Sequence, residues 1–208
     1  MSPILRGLRG PEIERMSMEI IEKELGPTDF STEQLQVVKR IIHATADFDF
    51  AKNIRFHPDA VVAAIEAIRS ACPIVTDTQM AASGISRSLL PEGSKVVSPM
   101  GSAECRALSE QMGGTMAEAA MEMASSMEPG IVAIGNAPTA LLRLIDMMEE
   151  ERFLPRLIVG VPVGFVNAAE SKEELLRRSK VPYITCLGRK GGTPVAVAAV
   201  NALIRLAL

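Results

Sequence analysis

The C-terminal part of the chain repeats one pattern three times: a short apolar run, a loop that contains glycine, and a segment with helical periodicity. The apolar runs start at Gly130, Leu157 and Pro182. Parallel strands need a crossover connection, usually a helix, and such sheets are buried on both faces. The repeat therefore predicts an α/β fold with βαβ crossovers and a parallel sheet covered by helices on both sides. Because no linker of different composition is present, residues 1–208 are predicted to form a single domain.

Shorter signals predict the elements that precede this repeat. The first helix is expected between two glycine–proline pairs, Gly10-Pro11 and Gly26-Pro27. Its buried face is expected to consist of the apolar side chains at helical spacing, which are Ile13, Met16, Ile20 and Ile21. Further along, we expect a strand over 48–56, a helix from Pro58, strands at 73–78 and 95–100, and two helices within 102–127 that separate at Gly113 and Gly114.

Charge and aromatic content argue against nucleic-acid and membrane partners. The 208 residues include 22 Lys or Arg and 25 Asp or Glu, which gives a net charge of −3, and no basic block is present. Aromatic residues make up 3% of the chain, too few for the stacking platforms that bind single-stranded nucleic acid. The most apolar segment, Val195–Leu208, is too short to span a bilayer. The first residues lack the apolar core of a signal peptide, so we expect a cytoplasmic protein.

The sulfur-containing residues do not indicate a metal site. Cys72, Cys105 and Cys186 are odd in number and widely spaced, so neither a disulfide framework nor a zinc site is expected. Cys186 lies in an apolar run with no histidine nearby in sequence, and we interpret it as structural rather than nucleophilic. Four methionines of the 102–127 region are interpreted as core or subunit-interface residues rather than copper ligands: Met112, Met116, Met123 and Met127.

A helix that starts at Ser31 contains His43, one of two histidines in the chain. Ser31 and Gln34 are spaced as a capping box, which predicts the start of this helix. His43 and Arg40 are three residues apart near its end and therefore share one side. The helix dipole favours a cationic imidazole at that end, so His43 is a candidate proton donor.

These residues alone leave the role of His43 open. Asp47 lies four residues beyond His43 and would orient the imidazole if the helix extended that far. The alternative is an ordinary helix histidine that is half-buried and hydrogen-bonded. His57, just before Pro58, is interpreted as a histidine of a strand end or loop.

Polar residues and glycine loops follow the predicted strands at their carboxyl ends, which is the edge where open α/β sheets bind ligands. The candidates at this edge are Asp77, Thr78, Gln79, Asn136, Arg189, Lys190 and Gly191. Backbone N–H groups and helix N-termini in such loops bind carboxylates as readily as phosphates. The GRKGGTP segment matches neither the P-loop nor the dinucleotide fingerprint, so a flexible surface turn remains its alternative interpretation. Composition and spacing name no reaction.

Five segments occur together in this order: RIIHATADFDF, IVTDTQM, IGNAPTALLRL, GVPVGFVNAAESKEELL and PYITCLGRKGGTPVAVAAVNAL. In these segments the chain resembles the precorrin-8X methylmutase (precorrin isomerase) family and its cobalt-precorrin-8 counterpart, from about Arg15 to the C-terminus. The resemblance implies a homodimer with a three-layer α/β/α fold, a mostly parallel central sheet and a large cleft. It also implies an isomerase of cobalamin biosynthesis that moves a methyl group from ring carbon 11 to carbon 12, giving hydrogenobyrinate or cobyrinate.

The resemblance further implies roles for particular residues. His43, within R-I-I-H, matches the family's catalytic histidine, a general acid that protonates a ring nitrogen and eases the sigmatropic shift. The implied substrate-binding residues are Arg15, Ser17, Arg40, Thr78, Gln79, Asn136, Arg189, Lys190 and Gly191. They suit a corrinoid that carries acetate and propionate carboxylates. The resemblance implies no methyl donor, no dissociable cofactor and no metal held by the protein.

The resemblance includes one departure from the family pattern. Many members have Thr-Thr-Arg where this chain reads Gly114-Thr115-Met116, which removes one cation that could bind a substrate carboxylate. Two other functions are consistent with an anion-binding edge. One is a non-catalytic carrier of corrinoids or other tetrapyrroles, and the other is an α/β enzyme that acts on a different polyanion, such as a phosphorylated metabolite.

Overall fold

The computed structural model describes residues 7–208. Its helices are α1 (Gly10–Leu25), α2 (Thr32–Thr45), α3 (Asp49–Asn53), α4 (Ala60–Arg69), α5 (Gln79–Gly84), α6 (Ala103–Met112), α7 (Met116–Ser125), α8 (Pro138–Glu149), α9 (Ala168–Arg178) and α10 (Thr193–Ala207). Its strands are β1 (Ile54–Phe56), β2 (Ile74–Thr76), β3 (Val96–Val97), β4 (Ile131–Ile134), β5 (Leu157–Gly160) and β6 (Tyr183–Cys186). A 3-10 turn spans Arg87–Leu89. The three predicted strand–loop–helix units and the helix break at Gly113 are confirmed.

The strands form one sheet in the order β1-β6-β5-β4-β2-β3. β1 runs antiparallel to β6, and every other neighbouring pair is parallel. In β4, Ile131 lies beside Ile74 of β2 on one side and Leu157 of β5 on the other. All residues of β2, β4 and β5 are buried, which explains why these runs are apolar throughout instead of alternating.

Helices cover both faces of the sheet. On one face, α2, α4 and α10 pack against the strand side chains that include Ile131 and Val159, with α1 outside them on α2. On the other face, α6, α7, α8 and α9 pack against the alternate set, which includes Val132 and Ile158. The predicted three-layer α/β/α arrangement with a mostly parallel sheet is therefore confirmed, and we refer to these two sets of helices as the first and second layers.

The strand predicted over 48–56 is wrong in its first half. Residues Asp49–Asn53 form α3, and only Ile54–Phe56 are a strand. The apolar residues alternate over so few positions that a single helical turn satisfies the pattern equally well. Phe50 is buried from within α3, and Phe48 packs against the same core.

The buried face predicted for α1 is wrong at two of its four positions, whereas the bounds of the helix are confirmed. Ile21 is buried and Met16 is half-buried, whereas Ile13 and Ile20 are 50% and 54% exposed. The physical reason is the position of α1 outside the first layer, where α2 covers only one side of it. In residues 7–208 no helix is both long enough and apolar enough to cross a membrane.

Candidate functional site

His43 lies in the last turn of α2 with its side chain exposed to solvent. The helix begins at the predicted capping box: Ser31 Oγ accepts the Gln34 N–H at 3.2 Å, and the Gln34 side chain accepts the Ser31 N–H at 3.1 Å. It ends at Ala46, whose backbone is left-handed with φ 53°. The last helical residue, Thr45, is two positions before Asp47, so the condition for Asp47 to orient His43 is not met.

Asp47 binds a different cation. Its carboxylate accepts the Lys190 ammonium at 2.6 Å and the Asp49 N–H at 3.0 Å. Lys190 also donates to the Asp49 carboxylate at 2.8 Å. The hydrogen bond from Lys190 is the main cause that lowers the pKa of Asp47 below its ordinary value. These ion pairs fasten the loop after β6 to the chain segment that follows His43.

His43 borders two pockets at the end of α2. The first has a volume of about 270 Å³, lies between α1 and α2, and is lined by Ser17, Ile20, Ile21, Glu24, Ile42, Ala46 and Phe48. The second has a volume of about 330 Å³, lies between α2 and α10, and is lined by Arg40, Ala44, Ser86, Pro194, Val197, Ala198, Asn201 and Arg205. A further cavity of about 610 Å³ shares Glu24 and Phe48 with the first pocket. The imidazole is therefore accessible from both sides of α2, and we refer to these two pockets together as the His43 groove.

Two arginines supply the positive charge of the second pocket. Arg40 forms an ion pair with Glu14 of α1, and this hydrogen bond lowers the pKa of the Glu14 carboxyl. Arg205 of α10 makes no ion pair within residues 7–208. Apolar side chains of α10 line the same pocket, namely Pro194, Val197 and Ala198. The pocket thus combines an apolar wall with a cation that is available to an anionic ligand.

Asp77 joins two loops at the carboxyl edge of the sheet, between the neighbouring strands β2 and β4. Its buried carboxylate accepts the backbone N–H groups of Gly135, Asn136 and Ala137 at 3.2, 2.7 and 2.9 Å. Burial raises the pKa of Asp77, and the three N–H donors oppose that rise. The N-terminus of α8 therefore binds a carboxylate of the protein itself, and the backbone N–H of Asn136 is already used.

Thr78, Gln79 and Arg15 do not line the His43 pockets. The Thr78 side chain caps α5 by accepting the Ala81 N–H at 3.1 Å. The Gln79 amide donates to the Ser98 and Met100 carbonyl oxygens at 2.8 and 3.2 Å. Arg15 is exposed and pairs with Glu19 at 2.6 Å. Of the predicted binding residues, Ser17 and Arg40 are the ones that line the same pockets as His43.

The loop after β6 connects the sheet edge to the His43 groove. A Cβ atom on Gly191 would overlap the Val161 carbonyl oxygen, and Gly192 donates its N–H to that same oxygen at 2.9 Å. A Cβ atom on Gly135 would lie 2.8 Å from Thr193 Cα. The loops after β4, β5 and β6 therefore converge on the N-terminus of α10, where Pro194 already lines a His43 pocket.

Two features of this surface were absent from the sequence-based set. Arg205 is one. It could have been found from its spacing, because it shares a face of α10 with Pro194, Val197 and Asn201. Phe165 is the other: it is 85% exposed, and the Arg189 guanidinium lies 5.5 Å from its ring centroid. The Gly164 N–H donates to the Arg189 carbonyl at 3.2 Å and holds these two loops together.

Residues 7–208 contain no group of three or more His, Cys, Asp or Glu side chains arranged to hold a metal ion. Cys72, Cys105 and Cys186 are free thiols. Met116, Met123 and Met127 pack against the core of the second layer, while Met112 is 38% exposed on α6.

Comparison with known proteins identifies relatives along nearly the whole chain. The family model described as CbiC: Precorrin-8X methylmutase matches residues 12–206. A cobalt-precorrin-8 methylmutase of Priestia megaterium is 44% identical over 198 residues, which cover 94% of this chain and 88% of that protein. A precorrin-8X methylmutase of Pseudomonas aeruginosa is 39% identical over 196 residues, covering 93% and 94%. The crystal structure of precorrin-8X methyl mutase from Thermus thermophilus superposes with a TM-score of 0.87 at 41% identity, covering 95% and 96%.

The fold and the two pockets define an α/β protein with an accessible histidine in the last turn of α2. Its relatives carry the name of an isomerase activity, the methylmutases. The chain belongs to the precorrin-8X methylmutase family, and the protein is an enzyme of the isomerase class. The resemblance read from the five sequence segments is confirmed.

Proposed function

We propose that the protein is a methylmutase of cobalamin biosynthesis that moves a methyl group from ring carbon 11 to carbon 12 of precorrin-8 or cobalt-precorrin-8. The products are hydrogenobyrinate and cobyrinate, respectively. The observation that carries the proposal is the exposed imidazole of His43 at the meeting point of two pockets, beside apolar side chains and arginines. Three free thiols suit the reducing cytoplasm, which we propose as the site of action.

His43 acts as the general acid of this reaction. It protonates a ring nitrogen, which withdraws electron density from the macrocycle and eases migration of the methyl group between neighbouring carbons. Because an isomerisation leaves the composition of the substrate unchanged, the product releases one proton and the imidazole is restored. A positioned general acid of this kind contributes about 10²–10⁴-fold to the rate.

The carboxylates of the substrate are bound by cations at the edges of the groove. Arg189 and Arg205 make no ion pairs within residues 7–208, whereas Arg40 and Lys190 are already paired with carboxylates. Apolar side chains of α10 contact the ring face. The proposed binding residues are Arg15, Ser17, Arg40, Thr78, Gln79, Asn136, Arg189, Lys190 and Gly191, together with Arg205. Any cobalt belongs to the macrocycle and takes no ligand from the protein.

We also propose a homodimer in which a second copy covers the outer face of α1. Ile13 and Ile20 are half-exposed there, and Ile20 lines the first His43 pocket, so the partner would close that pocket. We expect the wild-type protein to sediment as a dimer and Ile13→Glu to sediment as a monomer. A wild-type monomer at micromolar concentration would contradict this assembly.

Absorption spectra of two incubations test the reaction. The protein is mixed separately with metal-free precorrin-8 and with cobalt-precorrin-8, and we expect at least one substrate to shift to the spectrum of its product. His43→Ala should keep the fold and corrinoid binding but lose the shift. Tight corrinoid binding without conversion by the wild-type protein would instead identify a carrier. Binding that is displaced by phosphorylated metabolites but not by corrinoids would identify an enzyme for another polyanion.

A further inference from the structure

A lysine is buried beneath the loop that follows β6. Lys172 of α9 is 0% exposed, and its ammonium donates to the Lys190 carbonyl oxygen at 2.7 Å. Its other polar neighbour is the Cys186 sulfur, at 3.8 Å. No carboxylate within residues 7–208 pairs with Lys172. Burying a lysine with so few partners is costly, so its retention needs an explanation.

The contacts of Lys172 converge on a single backbone oxygen. The Cys186 thiol also donates to the Lys190 carbonyl, at 3.1 Å, so this oxygen receives two hydrogen bonds from below. One residue further on, Gly191 lies directly against the Val161 carbonyl. The Lys190 carbonyl and Gly191 thus face the interior of the protein, while the side chains of Arg189 and Lys190 are exposed at the surface.

We propose that Lys172 is a positioning residue, which holds the Arg189–Gly191 loop in the conformation that presents Arg189 and the start of α10 to the substrate carboxylates. This inference rests on the proposed function and adds a residue that does not touch the substrate. Lys172 acts through the Lys190 carbonyl, with the Cys186 thiol as an auxiliary donor.

The chemistry of the site favours this role over simple space filling. Burial lowers the pKa of Lys172, and the adjacent Cys186 opposes that shift, so the polar head is present at an energetic cost. An apolar side chain of the same length would fill the volume without that cost, but it would offer nothing to the Lys190 oxygen. An ordered loop loses less conformational freedom when a ligand binds to it.

Lys172→Met is the principal test, because it keeps the length of the side chain and removes the donor. We expect KM and the Kd of hydrogenobyrinate to rise about tenfold, with kcat within about twofold, since the loop binds substrate but does not carry out the proton transfer. Leu175→Ala is the matched control: it lies on the same helix in the core of the second layer, and should lower the Tm without changing KM. Lys172→Met with a lowered Tm and an unchanged KM would overturn the proposal.

A double variant tests whether Lys172 acts through the loop. In an Arg189→Ala background, the effect of Lys172→Met on Kd should shrink well below its effect in the wild-type protein. Fully additive effects would contradict the proposed route. Should Lys172→Met fail to fold, Cys186→Ala removes the second donor to the same oxygen, and we expect a smaller rise of KM in the same direction; an unchanged KM there would overturn the proposal.

Hydrogen exchange separates this inference from the proposed reaction. Backbone amides of residues 187–192 should exchange faster in Lys172→Met than in the wild-type protein, in the absence of any corrinoid. Faster exchange combined with a wild-type protein that neither binds nor converts corrinoids would refute the proposed function alone. If the wild-type protein converts its substrate but Lys172→Met exchanges these amides no faster than the wild-type protein, the positioning role alone would be refuted.

Discussion

The two helical layers on either side of the sheet use their charges differently. The second layer contains two clusters of arginines and carboxylates. In the first cluster Glu122 pairs with Arg143 and Arg152, and the hydrogen bond from Arg152 is the main cause that lowers the pKa of Glu122. In the second cluster Arg178 contacts three carboxylates, those of Asp146, Glu149 and Glu174. In the first layer, the groove beside His43 contains Arg205, which has no ion pair within residues 7–208.

The apolar side chains are fully buried in the centre of both layers, for example Val38 and Ile41 in the first, and the difference lies at the outer surface. In the second layer Leu144, Met147 and Met148 are fully buried. In the first layer Ile13 and Ile20 stay about half exposed, and pockets open on both sides of α2.

Both layers contain cations without an ion pair within residues 7–208, Arg106 and Lys172 in the second layer and Arg205 in the first. Arg205 differs from the other two because it lines a pocket beside His43, close to uncovered apolar surface, and this makes the first layer the one suited to bind a ligand. The predictions below test this division.

The largest effect is expected from His43. His43→Asn should lower kcat about 10²–10⁴-fold while leaving Tm and product binding nearly unchanged, because a general acid is lost and the side chain is exposed. The measurement is the rate of spectral change under saturating substrate. His57→Asn is the control, since His57 packs on Tyr183 at 5.6 Å ring separation, on a different part of the molecule. A His57 variant as inactive as the His43 variant would remove the reason for assigning catalysis to the first layer.

The largest effect on stability is expected in the second layer. Leu144→Ala is expected to lower the free energy of unfolding by about 2–5 kcal/mol, because it leaves a cavity in a closed core. Ile20→Ala should cost about 0.5 kcal/mol or less in the monomer, since its side chain is 54% exposed. Urea denaturation of both variants measures the difference. Equal losses would mean that Ile20 on α1 is packed as tightly as Leu144, which would contradict the uncovered outer face of α1.

A moderate effect on affinity is expected from Arg205. Arg205→Gln removes the unpaired cation of the groove and should raise KM about 10–150-fold, since a hydrogen bond between charged groups contributes about 1.5–3 kcal/mol. Arg177→Gln is the matched variant in the second layer, where Arg177 is exposed and pairs with Glu174. It should leave KM unchanged. If the Arg177 variant alters KM as strongly as the Arg205 variant, the effect reflects net charge rather than the groove.

The smallest effect is expected from acidic pH, which weakens the ion pair between α1 and α2. Arg40 lowers the pKa of Glu14 in the folded protein below the ordinary 4.5, so the Glu14–Arg40 pair stabilises the fold fully above that value and is lost as the pH falls through the lowered pKa. Because Glu14 is 39% exposed, we expect less than about 1 kcal/mol. The protection factors of the amides of residues 10–25, in which the pH dependence of intrinsic exchange is divided out, should fall at acidic pH in the wild-type protein, and Glu14→Gln should remove that fall. An identical pH response in the two proteins would contradict the role of this pair.

Much of the fold could be predicted because its signals are local. The capping box at Ser31, the helix break at Gly113 and the order of strands and helices depend on residues a few positions apart. The same locality explains the error at 49–53, where a short run of alternating phenylalanines satisfies either a strand or one helical turn. Asp77 was correctly placed at the sheet edge, but its binding to the N-terminus of α8 could not be anticipated, because its partners lie in another loop.

The sequence by itself determined the α/β class, the family and His43 as the candidate acid, since periodicity, caps and motifs are properties of neighbouring residues. Only the tertiary structure decided which cations are available. Lys190 is 143 positions from Asp47 and pairs with it, and Lys172 reaches the Lys190 carbonyl from beneath the loop. Arg205 lies in the His43 groove because α10 packs along α2. Pairing and burial depend on how distant segments pack, and no local pattern specifies them.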